Sequence, residues 1–299
     1  MGTPGFAVPT LSAINRSIHE VVSAVTVPDR KKGRGLAVGF SEVKKFSLSN
    51  GIELLQPEDL TDKDFLKQLK DLKPDLIVVV AFRILPEIIF EIPTSGIFNL
   101  HASLLPKYRG AAPVNRALIN GETETGVTTF FLEKKVDTGN IILQEKIQIL
   151  PEDNAGSLHD KLAVLGADVV MKTIDMIDKT GRKGLKLTGQ DDTLATKAPK
   201  IFKEDCLIKW ENNALKIHNQ IRGLSPYPAA YTRLNDKSIK IFKSSLTQIR
   251  SESEPGVVSV SDKKLMVNTK DVLLEINELQ PEGKNKMSAK DFLNGLNIR

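Results

Sequence analysis

Residues 76–80, LIVVV, form an uninterrupted β-branched run, the pattern of a strand buried on both faces. Working outward, residues 62–72 space Phe65, Leu66, Leu69 and Leu72 along one side of a helix, and residues 21–27, VVSAVTV, read as an earlier strand. Downstream, Gly96 precedes a short strand at residues 97–100, and residues 113–119 read as a helix with proline in its first turn. This alternation predicts βαβ units and a Rossmann-like, mostly parallel sheet in an α/β domain. Sheets of that kind bind ligands beyond the carboxyl ends of their strands. Two more strands are expected at 126–132 and 140–149, then a long helix at about 157–179 with Ser157 as N-cap and Asp160 three positions on.

The texture changes after that helix. The stretch KTGRKGLKLTGQDDTLATKAPK at 179–200 is rich in glycine and charge and poor in large apolar side chains, so it reads as a linker, placed at 185–200. Beyond residue 201, one amphipathic helix at about 213–222 precedes short candidate strands at 238–242, 256–260, 264–268 and 272–279. Short strands at near-regular spacing predict a small C-terminal β-barrel, OB-like in type. The expected domains are thus 1–184, a linker at 185–200, and 201–299.

Charge follows the same division. Residues 1–184 hold 23 Lys/Arg and 23 Asp/Glu, whereas residues 185–299 hold 19 and 14. The entire net charge of +5 therefore sits in the last third, as expected of a polyanion-binding module. No run approaches the roughly 20 apolar residues of a membrane helix. The start, MGTPGFAVPTL, lacks the basic and apolar regions of a signal peptide. A lone cysteine, Cys206, cannot form an internal disulfide, which points to a reducing cytoplasm.

The densest chemistry lies in residues 97–113, IFNLHASLLPKYRGAAP. Asn99 and His101 are two apart on a strand, so they share a face, while Phe98 and Leu100 take the other. Asp137 lies in a polar loop, LEKKVDTGNII, between two predicted strands. Together these residues suit acyl transfer to an amine. An amide N–H can donate to a developing oxyanion, an imidazole can move protons, and a carboxylate can orient or charge the imidazole. Read alone, Asn-x-His also fits a core histidine bonded to backbone, and Asp137-Thr138-Gly139 also fits an ordinary turn. His19, His159 and His218 are scattered, and no spacing suggests a zinc site. Gly33-Arg34-Gly35 is not a Walker loop and no GxGxxG follows a strand, so a nucleotide cofactor is unsupported. Residues 29–35, DRKKGRG, place four cations in a loop suited to phosphate contact.

The stretch FNLHASLLPKYRGAAPVNRALINGETETGVTTFFLEKKVDTGNII resembles the catalytic core of the methionyl-tRNA formyltransferase family, within the folate-dependent formyltransferases. The likeness extends to Gly2-Thr3-Pro4 with Phe6, to PDRKKGRG, to VVAFRILP at 79–86, and to IRGLSPYPAAYT and GKNKMSAKDFLNG near the end. It implies 10-formyltetrahydrofolate as formyl donor, initiator methionyl-tRNA as acceptor, no metal, and a cytoplasmic monomer. It implies Asn99, His101 and Asp137 as catalytic residues. Folate contacts are implied at Phe82, Ile84, Leu85, Ser103, Leu104, Leu105 and Pro106, and tRNA contacts at Arg30, Lys31, Lys32, Arg34 and Arg222. Alternatives are a related folate enzyme acting on a small acceptor, and an inactive RNA-binding remnant. Phe82 stands where some relatives carry tyrosine, a loss of one hydroxyl. The resemblance also implies a short apolar strand ahead of Gly2-Thr3-Pro4. With only Met1 there, the expectation is a first strand lost to a late start or a fragment, with weak stability and activity.

Overall fold

The computed structural model describes residues 1–32, 37–234 and 237–295. The chain forms two compact units, one of Met1–Gly110, Gly126–Ile147 and His159–Lys197, the other of Ala111–Thr125, Gln148–Leu158 and Ala198–Arg299. In chain order the elements begin with α1 (Ala7–Asn15), β1 (Ala24–Val25), β2 (Arg30–Lys32), β3 (Ala37–Gly39), α2 (Glu42–Ser49), β4 (Leu54–Leu55) and α3 (Lys63–Asp71). Next come β5 (Ile77–Val80), β6 (Ile97–His101), α4 (Pro113–Ile119), β7 (Glu124–Phe131), β8 (Ile141–Gln148) and α5 (Ala155–Gly184). The remainder comprises α6 (Ala214–Leu224), β9 (Ala230–Leu234), β10 (Lys237–Arg250), β11 (Val258–Ser261), β12 (Lys264–Asn268), β13 (Val272–Pro281), β14 (Met287–Ser288) and α7 (Ala289–Gly295).

In the first unit, local signals and packing agree. The Asp62 carboxylate accepts from the Phe65 amide at 2.9 Å and starts α3, whose Phe65, Leu66 and Leu69 are buried. That stripe packs with Ile77 and Val79 of β5 and Ile97 of β6. Strand β6 lies between β5, its parallel neighbour, and β7, its antiparallel one. The sheet is therefore mixed, not mostly parallel. After α4 the chain returns as β7 beside β6 in the opposite direction, pairing Phe130 with Asn99 and Thr128 with His101. Strand β1 pairs with β4 in a separate parallel ladder. Met1 and Gly2 lie between the two ladders. The Gly2 amide donates to the Val25 carbonyl at 3.0 Å, and the Val80 amide to the Met1 carbonyl at 2.9 Å. A cavity of about 140 Å³, lined by Val22, Ala24, Leu69, Leu72 and Ile77 among others, adjoins them.

Helix α5 starts two residues before Ser157. Asn154, not Ser157, is the cap. Its side-chain oxygen accepts from the Ser157 amide at 3.0 Å, and Ser157 Oγ accepts from the Asn154 amide at 3.1 Å, a reciprocal box.

In the second unit, β11, β12, β13, β10 and β9 pair in that order, with β14 on β13. The strands form an antiparallel sheet, and no closed barrel is found among the described residues. Ile241, Leu265, Val267, Leu274, Ile276 and Leu279 bury one face of it against Ile217, Ile221 and Leu224 of α6. The other side of α6 meets α4. A β-carbon on Gly223 would lie 2.6 Å from Ile119 Cγ1 and 3.0 Å from the Ile119 nitrogen. Helix propensity favours alanine over glycine by about 1 kcal/mol. Overpacking costs about 1–3 kcal/mol, and backbone cannot yield as a side-chain tip can. Gly223→Ala is thus expected to lower the melting temperature by several degrees. A calorimetric scan in which the variant matches or exceeds the parent would contradict this packing.

Candidate active site

Strand β6 delivers its last two polar side chains at its carboxyl end. Asn99 is half-buried and His101 is 6% exposed. Among the described residues the Asn99 side-chain amide has no hydrogen-bond partner, so both of its N–H groups are free to donate. His101 Nε2 lies 2.9 Å from the Tyr108 carbonyl oxygen. A carbonyl only accepts, so Nε2 carries the proton of the neutral ring and Nδ1 keeps its lone pair. Asp137 Oδ2 is 3.8 Å from Nδ1, beyond a direct hydrogen bond but within charge-contact distance of the ring. The same oxygen accepts from the Gly110 amide at 2.9 Å.

Two of these residues hold backbone conformations that L-residues rarely adopt, Tyr108 at φ +62° and Asp137 at φ +55°. Each costs roughly 1–2 kcal/mol and persists only when its surroundings over-determine it. Those surroundings come from the segment read as a linker. Thr196 Oγ1 accepts from the Tyr108 amide at 2.9 Å, and the Thr196 carbonyl accepts from the Arg109 amide at 2.9 Å. Gln190 Nε2 donates to the Asp137 carbonyl at 3.0 Å and to the Gly139 carbonyl at 2.8 Å. Its Oε1 accepts from Arg109 Nε and from a second guanidinium nitrogen, at 3.0 and 2.8 Å. A third nitrogen of Arg109 pairs with Asp192 at 2.7 Å. Hydrogen bonding and charge from Arg109 hold the Asp192 carboxyl below the ordinary range. Gly139 completes the turn, because a β-carbon there would lie 1.7 Å from the Phe131 carbonyl oxygen. Tyr108 and Arg109 lie within the motif at 97–113 without being marked there as site residues, and Gln190 and Thr196 lie in no motif.

The loop after His101 is fixed from beneath by buried Thr128. Its hydroxyl donates to the Ser103 carbonyl at 2.6 Å and accepts from the Leu105 amide at 3.1 Å. Ser103 is buried with its hydroxyl on the Lys107 carbonyl, and Leu105 packs with Phe130 and Ile141. Leu85 is buried in the core beside Phe82. Of the expected folate residues, Ile84 is exposed, while Phe82, Leu104 and Pro106 are half-buried.

Residues 30–32 form a strand, not the expected loop, paired antiparallel with β3. Arg30 is exposed, and Arg34 lies outside the described residues. Arg222, at the end of α6, is half-buried. Its Nε donates to Asn219 at 2.8 Å, and burial lowers its pKa. His19 faces Asp175, His159 faces Asp160 and His218 faces Ser244. Among the described residues no group of His, Cys, Asp or Glu is arranged to hold a metal ion. No helix is long and apolar enough to cross a membrane among those residues.

Residues 1–174 match the formyl transferase family and residues 200–297 match the formyl transferase C-terminal domain. A methionyl-tRNA formyltransferase of Azobacteroides pseudotrichonymphae is 48% identical over 99% of this chain and 94% of its own length. One of Thermodesulfovibrio yellowstonii is 46% identical over 99% of this chain and 95% of its own length. Among solved structures, an N-formyltransferase from Helicobacter canadensis, in complex with folinic acid and dTDP-3-aminofucose, superposes with a TM-score of 0.70 at 23% identity, covering 96% of this chain and 97% of that one. With its two parts matched in order and its relatives covered almost end to end, the chain belongs to the formyl transferase family, alongside the methionyl-tRNA formyltransferases.

Proposed function

We propose that this protein transfers the formyl group of 10-formyltetrahydrofolate to the amino group of initiator methionyl-tRNA. The observation that carries the reading is a tautomer-fixed imidazole at His101 with the Asp137 carboxylate 3.8 Å from the ring, and Asn99 two residues earlier on the same strand. The names of relatives matched over 94–95% of their length support the same substrates.

The chemistry follows from the geometry. The unprotonated methionyl amine attacks the formyl carbon, and the carbonyl oxygen becomes negative. Asn99 donates an N–H to that oxygen. His101 Nδ1, which carries no proton in the neutral ring, takes the proton the amine loses. Asp137 faces the imidazolium that results and stabilises it. The C–N bond to the folate N10 then breaks, and N10 receives the proton. No covalent enzyme intermediate is needed, because an amine is already a good nucleophile.

Folate contacts are assigned to Phe82, Ile84, Leu104 and Pro106 through side chains. Leu85, Ser103 and Leu105 contribute by supporting the wall. The tRNA contacts are assigned to Arg30, Lys31, Lys32, Arg34 and Arg222, the last a half-buried guanidinium that also donates to Asn219 and to the Leu150 carbonyl. Exposed Lys240 and Lys243 on β10 fit the same polyanion. Residues 1–184 would hold the formyl donor and residues 201–299 the tRNA. A cytoplasmic monomer fits this reading, since a lone buried Cys206 thiol needs no oxidising compartment.

Asn99→Ala is expected to lower kcat by roughly 10²–10³-fold, the cost of one oxyanion donor. Asp137→Asn should act in the same direction, and the tRNA Kd should hold in both. Steady-state kinetics beside filter binding decides this, and parallel losses of turnover and binding would remove these residues from the chemistry. Charged initiator tRNA should be formylated far faster than nucleotide-linked amino sugars. A preference for the sugars would sink the acceptor assignment.

Binding of tRNA should weaken steeply with salt. Replacing Lys240 and Lys243 by glutamine should reduce the slope of log K against log [salt] by about one unit for each phosphate that is no longer neutralised. An unchanged slope would place the RNA elsewhere on the molecule.

A further inference from the structure

The geometry points to Gln190 as a positioning residue for formyl transfer. It holds the Asp137 turn so that the carboxylate stays beside His101. The inference rests on the reading of Asp137 and His101 given above and adds a residue that touches neither substrate.

Asp137 occupies a left-handed backbone conformation in a polar loop. Among the described residues its carboxylate makes one hydrogen bond, to the Gly110 amide, and one electrostatic contact, to His101. Neither restrains the backbone on its own side of the turn. Gln190 does, by donating two N–H bonds to carbonyls on either side of Thr138. An amide that straddles a turn in this way fixes both the position and the direction of the side chain at its start. Gln190 is itself fixed, because Arg109 donates twice to its oxygen while anchored to Asp192. All four hydrogen-bonding directions of the Gln190 amide are filled. Arg109 is the residue before Gly110, whose amide holds the carboxylate. The side chain at 190 therefore ties together both chain segments that grip Asp137.

The placement explains why glutamine suits the position. Glutamate could accept from Arg109 but has no N–H for the two carbonyls. Methionine has the volume and neither function. Misplacing a catalytic group by about 1 Å costs on the order of 10²-fold in rate. Loss of the Gln190 donors is thus expected to reduce kcat by about 10- to 100-fold. Substrate KM values should change by less than about twofold, because no group that touches substrate is removed.

The test compares Gln190→Met, Gln190→Glu and Asp137→Asn in the full chain, with kinetics, thermal melting and ¹H–¹⁵N NMR of the Gly110 amide. That amide bonds to the Asp137 carboxylate, so its proton shift reports directly where the carboxylate lies. The proposal expects both Gln190 variants to melt near the parent, to move the Gly110 resonance in the direction produced by Asp137→Asn, and to lose kcat at near-constant KM. Glutamate retains the Arg109 bonds. A parent-like Gln190→Glu enzyme would overturn the proposal and assign the role to Arg109 alone. An unmoved Gly110 resonance with parental kcat in Gln190→Met would also overturn it. If instead the resonance moves and kcat holds in the Gln190 variants while Asp137→Asn loses turnover, the clamp exists but does not serve the reaction, and the proposal fails. If Asp137→Asn keeps full turnover, the reading of Asp137 fails first and takes the proposal with it.

Discussion

The hydrogen bond from His101 Nε2 to the Tyr108 carbonyl, 2.9 Å long, decides what the rest of the site can be. It places the ring proton on the nitrogen remote from Asp137 and leaves the Nδ1 lone pair on the side of the carboxylate. For the carbonyl to point back at the strand end, Tyr108 must adopt a left-handed backbone. For Tyr108 to remain there, its amide needs the Thr196 hydroxyl. A single donor–acceptor choice at a strand terminus thus recruits a segment that lies 95 residues further along, from residue 101 to residue 196. The strand supplies Asn99 and His101, and the crossing segment supplies their constraints.

The mixed sheet serves the same end. Strand β6 has a parallel neighbour on one side and an antiparallel one on the other. The antiparallel partner places Thr128 directly opposite His101, and Thr128 is where the following loop is pinned. Gln144 of β8 adds donors to Thr128 and to the Leu105 carbonyl. The β7 return brings Phe130 and Phe131 under the loop that carries Asp137, and Gly139 fits only because it lacks a side chain.

Much of this was legible from residue pattern. The alternation around residues 76–80 locates β5 and β6, since β-branched runs without charge have few other uses in a globular chain. Asn99 and His101 share a face because strand period is two, and the sequence needs nothing else to say so. Asp62 and Asn213 start α3 and α6 as their side-chain oxygens allow. What escaped the sequence depends on partners distant in the chain. Asn154 displaced Ser157 as the α5 cap because both residues can cap and only the approach of the chain chooses between them. Strand β10 runs to Arg250, past the apolar run that marks it, since pairing with β13 carries its polar residues along. Strand spacing predicts a barrel, but closure depends on shear and on which edges meet, and neither is written in local spacing. Gln190 lies beside Gly189 and ahead of two aspartates and looks like a linker residue. Its role comes from the two carbonyls it faces.

The 3.8 Å gap between Asp137 and His101 has a consequence for catalysis that a shorter contact would not have. A direct hydrogen bond would require the proton on Nδ1, the nitrogen that must be bare to receive one. With Nε2 committed to Tyr108, the neutral ring presents a lone pair toward the carboxylate and gains little from it. After proton transfer the same atoms become an ion pair across a short, buried distance. The carboxylate therefore favours the charged ring over the neutral one, and the charged ring forms only as the amine attacks. Stabilisation that appears along the reaction coordinate raises kcat, whereas equal stabilisation of the ground state would only tighten binding. The benefit depends on the carboxylate being held near the ring without collapsing onto it. That condition is met by the Gly110 amide on one oxygen and the restrained turn behind it, so the rate is tied to the stiffness of a loop that the substrates need not touch.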